Sequence, residues 1–150
     1  MNAFVVAGAG FLLAVLWFDL MFDVQARRHG GTSAVPEAAL ASIAAYYARV
    51  TTAARPMNRL IATVMLATIA AIIVEIAQGS EPGWLGWVSL ALAASAVGLA
   101  ATRTVPAAVR LGNRRDPVDG RSALARRLLA EHVYCFVAIA CLIGVQLGWG

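Results

Sequence analysis

The chain has 150 residues, of which 61% are hydrophobic and only 13% charged, and its mean hydropathy is +0.75. Soluble domains carry about 25% charged residues, so this composition excludes a soluble globule, which it could not cover with polar surface. The formal net charge of +4 resides in arginines placed between long apolar runs, a pattern that points to anionic inner-leaflet lipids as partner and away from nucleic acid.

The first apolar run covers residues 3–22 and as a helix would be about 30 Å long, the thickness of a hydrocarbon core. It has no positive residue before it and no small-residue cleavage site after it, so it reads as an uncleaved span with its N-terminus outside. Asp19 and Asp23 follow one helical turn apart near its end, and Arg27 continues the stripe.

Residues 36–54 predict a helix with Leu40, Ile43, Tyr47 and Val50 on one side. As a fifth span it would carry Glu37 and Arg49 to membrane depth, costing about 3 kcal/mol for a central arginine. It would also invert the topology, so it is expected at the cytoplasmic interface or packed under the bundle.

The second span, 57–77, starts after Arg55-Pro56, where proline fits a first helical turn. Gly79-Ser80-Glu81-Pro82-Gly83 then breaks the chain, and so short a link makes the third span, 84–102, an antiparallel neighbour. From Gly112 to Gly120 the chain is rich in turn formers and predicts a mobile excursion. The fourth span, 133–147, follows an amphipathic lead-in from Ser122. The expected fold is an all-α integral membrane protein, a single antiparallel bundle of four transmembrane helices with one further cytoplasmic or interfacial helix.

Direction follows from the arginines. Arg27, Arg28, Arg49, Arg55 and Arg59 flank the first long connection, and Arg103, Arg110, Arg114, Arg115, Arg121, Arg126 and Arg127 flank the second. The positive-inside rule places both in the cytoplasm and both termini outside, in a plasma membrane of bacterial inner-membrane type. Trp84, Trp87 and Trp149 then fall at the outer interface, where indoles prefer to sit.

In lipid, helices associate through small residues. Gly10 and Ala14, Ala94 and Gly98, and Ala140, Gly144 and Gly148 recur at intervals of four and are expected to pack the four helices together, in preference to forming a homodimer face.

Chemistry-bearing residues are few. Cys135 and Cys141 lie six residues apart, about 9 Å along a helix axis, too far for a bridge within one helix. Two histidines, His29 in a loop and His132 at the cytoplasmic margin, do not make a haem pair within the bundle. No metal ligand set, cofactor motif or catalytic constellation stands out, and Gly8-Ala9-Gly10 is no phosphate loop because it lies inside a span.

What remains is a polar rim at the cytoplasmic ends of the helices, formed by Asp19, Asp23, Arg55, Arg59, Arg103, Glu131 and His132. Such a rim is either a set of register-fixing ion pairs or a binding site, and Asp19 is its deepest acid. Glu75, near the outer end of the second span with Gln78 and Glu81 beyond it, is a secondary candidate.

The leading functional expectation is a non-enzymatic accessory or scaffold subunit docked on a larger membrane protein or on a second copy of itself. The alternative is a membrane enzyme or binder of a lipid-soluble molecule, quinone- or polyketide-like, held at the cytoplasmic rim. A small transporter ranks third, because no polar stripe crosses the middle of a span.

Overall fold

The computed structural model describes residues 2–27, 34–79 and 82–149, without the side chains of Asn2 and Arg55. Arg28, His29, Ser80 and Glu81 of the sequence expectations lie outside the described residues. Within them the chain is all-helical, in the order α1 (Asn2–Arg27), α2 (Glu37–Tyr47), α3 (Arg55–Ala77), α4 (Trp84–Leu99), α5 (Val105–Gly112) and α6 (Val118–Trp149).

Four stretches are long and apolar enough to cross a membrane: Ala3–Arg27, Pro56–Ala77, Trp84–Gly112 and Val118–Trp149. The first, third and fourth run beyond the apolar segments 3–22, 84–102 and 133–147, because helix continues into the charged flanks where apolarity stops. Helix α3 ends where Gly79 takes a positive φ of 69° and donates its N–H to the Ile76 carbonyl.

The third stretch stays helical through Pro106, which has no N–H for the carbonyl one turn back and whose ring crowds it. A π-helical turn, Ala100–Thr104, widens the helix ahead of the proline and absorbs the mismatch, joining α4 to α5. A second π-turn, Ala48–Ala53, extends α2 towards the Arg55-Pro56 step. Both turns lie beside the polar cluster described below.

The four long helices pack in a ring, α1 on α6, α6 on α4, α4 on α3 and α3 on α1. Helices α1 and α6 run antiparallel, since Trp17 meets Phe136 at 6.2 Å while Asp23, further along α1, meets His132, earlier on α6. The core of the ring draws on all four helices and includes Val5, Leu12, Ile72, Ala93, Ile139 and Leu142.

A second core lies at the arginine-bearing end, where α2 and α5 close over the N-terminal half of α6 through Leu40, Ile43, Leu111, Leu124 and Leu128. Helix α2 is therefore packed against the other helices, with Leu40, Ile43, Ala44 and Tyr47 buried. Its entrance is pinned by the Val35 N–H, which donates to Ser122 Oγ at 3.1 Å, and by a two-pronged Arg121–Glu37 ion pair at 3.0 and 3.1 Å.

Two expectations are corrected. The excursion at 112–120 shrinks to a five-residue link, 113–117, held by Arg110 to Asp116 at 3.0 Å and by Arg114 to the Ala41 carbonyl at 3.0 Å. Its turn formers shape a tight corner because α5 and α6 both continue to its edges.

The small-residue faces also point elsewhere. A Cβ built on Gly10, Gly98, Gly144 or Gly148 would meet no other part of the chain within 4 Å, Ala14 and Ala94 are exposed, and Ala140 is half-buried. Close approach occurs instead at Gly8 against Thr68, Gly86 against Ile76 and Gly112 against the Ala48 backbone. Spacing by four identifies a continuous helix face but not the direction in which that face points.

Large apolar side chains are exposed around the ring, among them Phe4 (77%), Leu66 (69%) and Phe18 (59%). Water tolerates so much contiguous apolar surface poorly, whereas lipid tails cover it at no cost.

Candidate functional site

Asp19 and Asp23 lie one turn apart on one face of α1, about 6 Å along its axis. Consecutive tyrosines at the end of α2 reach them. Tyr46 Oη donates to Asp19 Oδ1 and Tyr47 Oη to Asp23 Oδ1, each at 2.7 Å. The tyrosine rings sit edge to face at 5.3 Å, and Phe22 stacks on Tyr46 at 4.1 Å.

Between the two acids stands His132 of α6. Its Nδ1 lies 2.6 Å from Asp23 Oδ2 and its Nε2 3.8 Å from Asp19 Oδ2. The array reads Tyr46, Asp19, His132, Asp23, Tyr47, with three elements converging on one imidazole. Asp23 has no exposed surface, and His132 is 6% exposed.

Burial, and then the carboxylate beside each hydroxyl, raise Tyr46 and Tyr47 far above the ordinary tyrosine value of 10.0. Both phenols therefore stay protonated and act as fixed donors to the two acids.

Beside the array, Thr104 on the π-turn after α4 donates to Glu131 Oε2 at 2.9 Å, and Arg127 pairs with Glu131 Oε1 at 2.7 Å. This second arm runs from the interior to the half-exposed Arg127 side chain.

A cavity of about 120 Å³ opens onto these groups. Its walls are mainly apolar, including Leu12, Val15, Leu16, Ile61, Met65, Val97 and Ile139, and Asp19, Tyr47, Thr104 and His132 form its polar end. Apolar walls with a few converging polar groups are the usual form of a small-molecule site.

No protein-family model, no curated protein and no solved structure matches this chain.

The seven residues expected at the rim divide. The structure brings Asp19, Asp23 and His132 into one array and places Glu131 beside it, but Arg59 and Arg103 are exposed and outside it. The Arg55 side chain lies outside the described residues. Among those described, no group of three or more His, Cys, Asp or Glu side chains is arranged to hold a metal ion.

Glu75 lies at the opposite end of the ring and is buried, not directed outwards. Gln146 Nε2 donates to Glu75 Oε2 at 3.1 Å and to Ser89 Oγ at 2.9 Å. The apolar layer of Ile72, Ala93, Ile139 and Leu142 belongs to the core between this network and the histidine array.

Sequence reasoning missed Tyr46, the Tyr47 hydroxyl, Thr104, Ser89 and Gln146. A signal existed for Gln146, a large polar residue inside an apolar run, and for the tyrosines, paired near the end of a helix that shares their end of the chain with two acids. For Thr104, which enters the wall through the π-turn, Pro106 marks a helix that must adjust but not which side chain the adjustment turns inwards.

Proposed function

We propose that this is a multi-pass membrane protein whose interior cavity binds a lipid-soluble small molecule and exchanges a proton with it through Asp19 and His132. The observation that carries this reading is the cavity's polar end. A buried imidazole is held on one nitrogen by Asp23, its other nitrogen lies 3.8 Å from Asp19, and both His132 and Asp19 line the space, an arrangement suited to general acid–base work. A buried acid, a half-buried one and a histidine arranged only to fix helix register would need no cavity beside them.

The four apolar stretches form an antiparallel transmembrane bundle, with α2 and α5 closing its cytoplasmic end and both termini outside. The position of the described arginines at the α2 and α5 end supports this direction, as do Trp84 and Trp149, whose rings meet at 5.7 Å at the other end. The membrane is a plasma membrane of bacterial inner-membrane type, with anionic lipids facing the arginines.

The test is gentle purification of the full chain and analysis of what is carried with it. An apolar small molecule should accompany the parent protein and be absent from Val97→Phe, in which the new ring fills the cavity. A parent preparation that holds no such molecule and gains no thermal stability from any apolar ligand would overturn the reading.

An accessory subunit is the second reading. The outward faces carrying Gly10, Ala14, Ala94, Gly98 and Gly144 favour it, since small residues let a partner helix or a second copy approach closely. It predicts co-purification with a larger membrane assembly, lost on Gly144→Leu without loss of the chain's own stability. A transporter is supported least, because the apolar layer separates the two polar networks.

A further inference from the structure

The polarity of the hydrogen bonds around the cavity carries more than its shape does. Each hydroxyl or thiol on its wall, among the described residues, has already given its hydrogen to another part of the protein. Tyr47 Oη gives to Asp23 Oδ1 and Thr51 Oγ1 to the Tyr47 carbonyl, both at 2.7 Å. Thr104 Oγ1 gives to Glu131 Oε2 at 2.9 Å, and Cys135 Sγ faces the Ala96 carbonyl at 3.6 Å.

A hydroxyl has one hydrogen and two lone pairs, so these groups can offer an incoming molecule only acceptors. Asp19 adds carboxylate oxygens, which also only accept. At His132 a carboxylate of the protein faces each ring nitrogen, Asp23 Oδ2 at 2.6 Å from Nδ1 and Asp19 Oδ2 at 3.8 Å from Nε2. A hydrogen on either is therefore directed to the protein, and in the neutral ring with its hydrogen on Nδ1, Nε2 presents a lone pair. The second amide hydrogen of Asn58 is the exception, and Asn58 is exposed at the mouth, its first amide bond made to the Thr51 carbonyl at 3.3 Å.

We infer that the cavity selects apolar molecules whose polar end is a hydrogen-bond donor, a phenol or hydroquinone hydroxyl, against those ending in a carbonyl, ether or carboxylate oxygen. The inference rests on the proposed cavity function and narrows it, since a quinone presents carbonyl acceptors whereas its reduced form presents the hydroxyls the wall can receive. An acceptor brought against these acceptors would leave both sides desolvated and unpaired. A donor would bind Asp19, Thr104 or Tyr47 and put its proton within reach of His132 Nε2.

Three ligands of one size decide it: para-butylphenol, para-propylphenyl methyl ether, and propyl phenyl ketone, titrated against the full chain in lipid nanodiscs. The phenol should bind about tenfold or more tightly than either analogue, the range expected for one hydrogen bond to a charged or buried acceptor. Its binding should vanish in Val97→Phe. If that variant does not fold, the phenol should still protect Cys135, on the cavity wall, from a small apolar thiol reagent, with exposed Cys141 as internal reference.

Equal or tighter binding of the ether or ketone would overturn the donor rule and leave the cavity reading intact. Failure of all three to bind, or binding that neither fills nor shields the cavity, would overturn the cavity reading and this inference with it.

Discussion

His132 Nδ1 and Asp23 Oδ2 meet at 2.6 Å across 109 residues of sequence, with the carboxylate entirely buried. In a low-dielectric interior such a contact is strong while intact and costly when one partner is removed. It ties the end of α1 to the middle of α6 and leaves the other ring nitrogen 3.8 Å from Asp19, with both residues on the cavity wall.

The first prediction follows from the unequal burial of the two acids. Asp23→Leu strips His132 and Tyr47 of their shared acceptor and should cost about 3 kcal/mol. Asp19→Leu removes a partly exposed acid whose imidazole contact is 3.8 Å and should cost about 1 kcal/mol. Unfolding of both variants in mixed micelles, followed by circular dichroism, measures the order, and a larger loss for Asp19→Leu would contradict it.

The helices were legible because apolar length and arginine placement act locally, one helix at a time. Asp19, Asp23, His132 and Glu131 could be nominated for a related reason, being the few ionisable residues near the ends of the spans. Which of them meet depends on helix rotation, which apolar periodicity barely constrains when lipid-facing and core-facing residues are equally hydrophobic. Arg59 and Arg103 were grouped with the acids because they share their level along the bundle, yet their faces are turned outwards. Gly144 and Gly148 were misplaced by the same ambiguity. Thr104 depends on a π-turn, and Pro106 marks only that the helix must adjust there, not that it does so by a one-residue slip.

The tyrosine hydroxyls give a pH prediction. Tyr46 and Tyr47 are raised above the ordinary value of 10.0 by burial and by the adjacent carboxylates, so the unfolded chain ionises first. Their contribution is fully present below about pH 10 and is lost as pH rises beyond it. Unfolding titrations from pH 8 to 11 should show stability falling above about pH 10, with a shallower fall in Tyr47→Phe. At pH 10.5 the folded parent and folded Tyr47→Phe should show the same tyrosinate absorbance; an excess in the parent would mean that Tyr47 ionises in place.

At the opposite end of the bundle, Gln146 joins Glu75 of α3 to Ser89 of α4. Gln146→Leu keeps the volume close to native but removes the amide that donates to both, and should cost about 1 kcal/mol, the usual scale of an interhelical hydrogen bond in lipid. Because the apolar layer lies between, phenol binding at the cavity should change less than twofold. Equilibrium binding and SDS unfolding of the same preparation separate the two effects, and a large affinity loss would mean that the networks are coupled.

Glycine substitutions distinguish faces that are closed within this chain from faces left open. A Cβ on Gly112 would lie 2.9 Å from the Ala48 nitrogen and 3.1 Å from its Cα, backbone atoms that cannot rotate aside, so Gly112→Ala should cost about 1 to 3 kcal/mol. A Cβ on Gly144 would meet nothing within 4 Å, so Gly144→Ala removes only the flexibility of a mid-helix glycine and should stabilise the isolated chain by up to about 1 kcal/mol. Thermal melts of the two variants in detergent should move in opposite directions. If Gly144→Ala instead lowers the melting temperature, the face it occupies is packed in the isolated protein, and the match would have to be made by a second copy, which the concentration dependence of the melt would reveal.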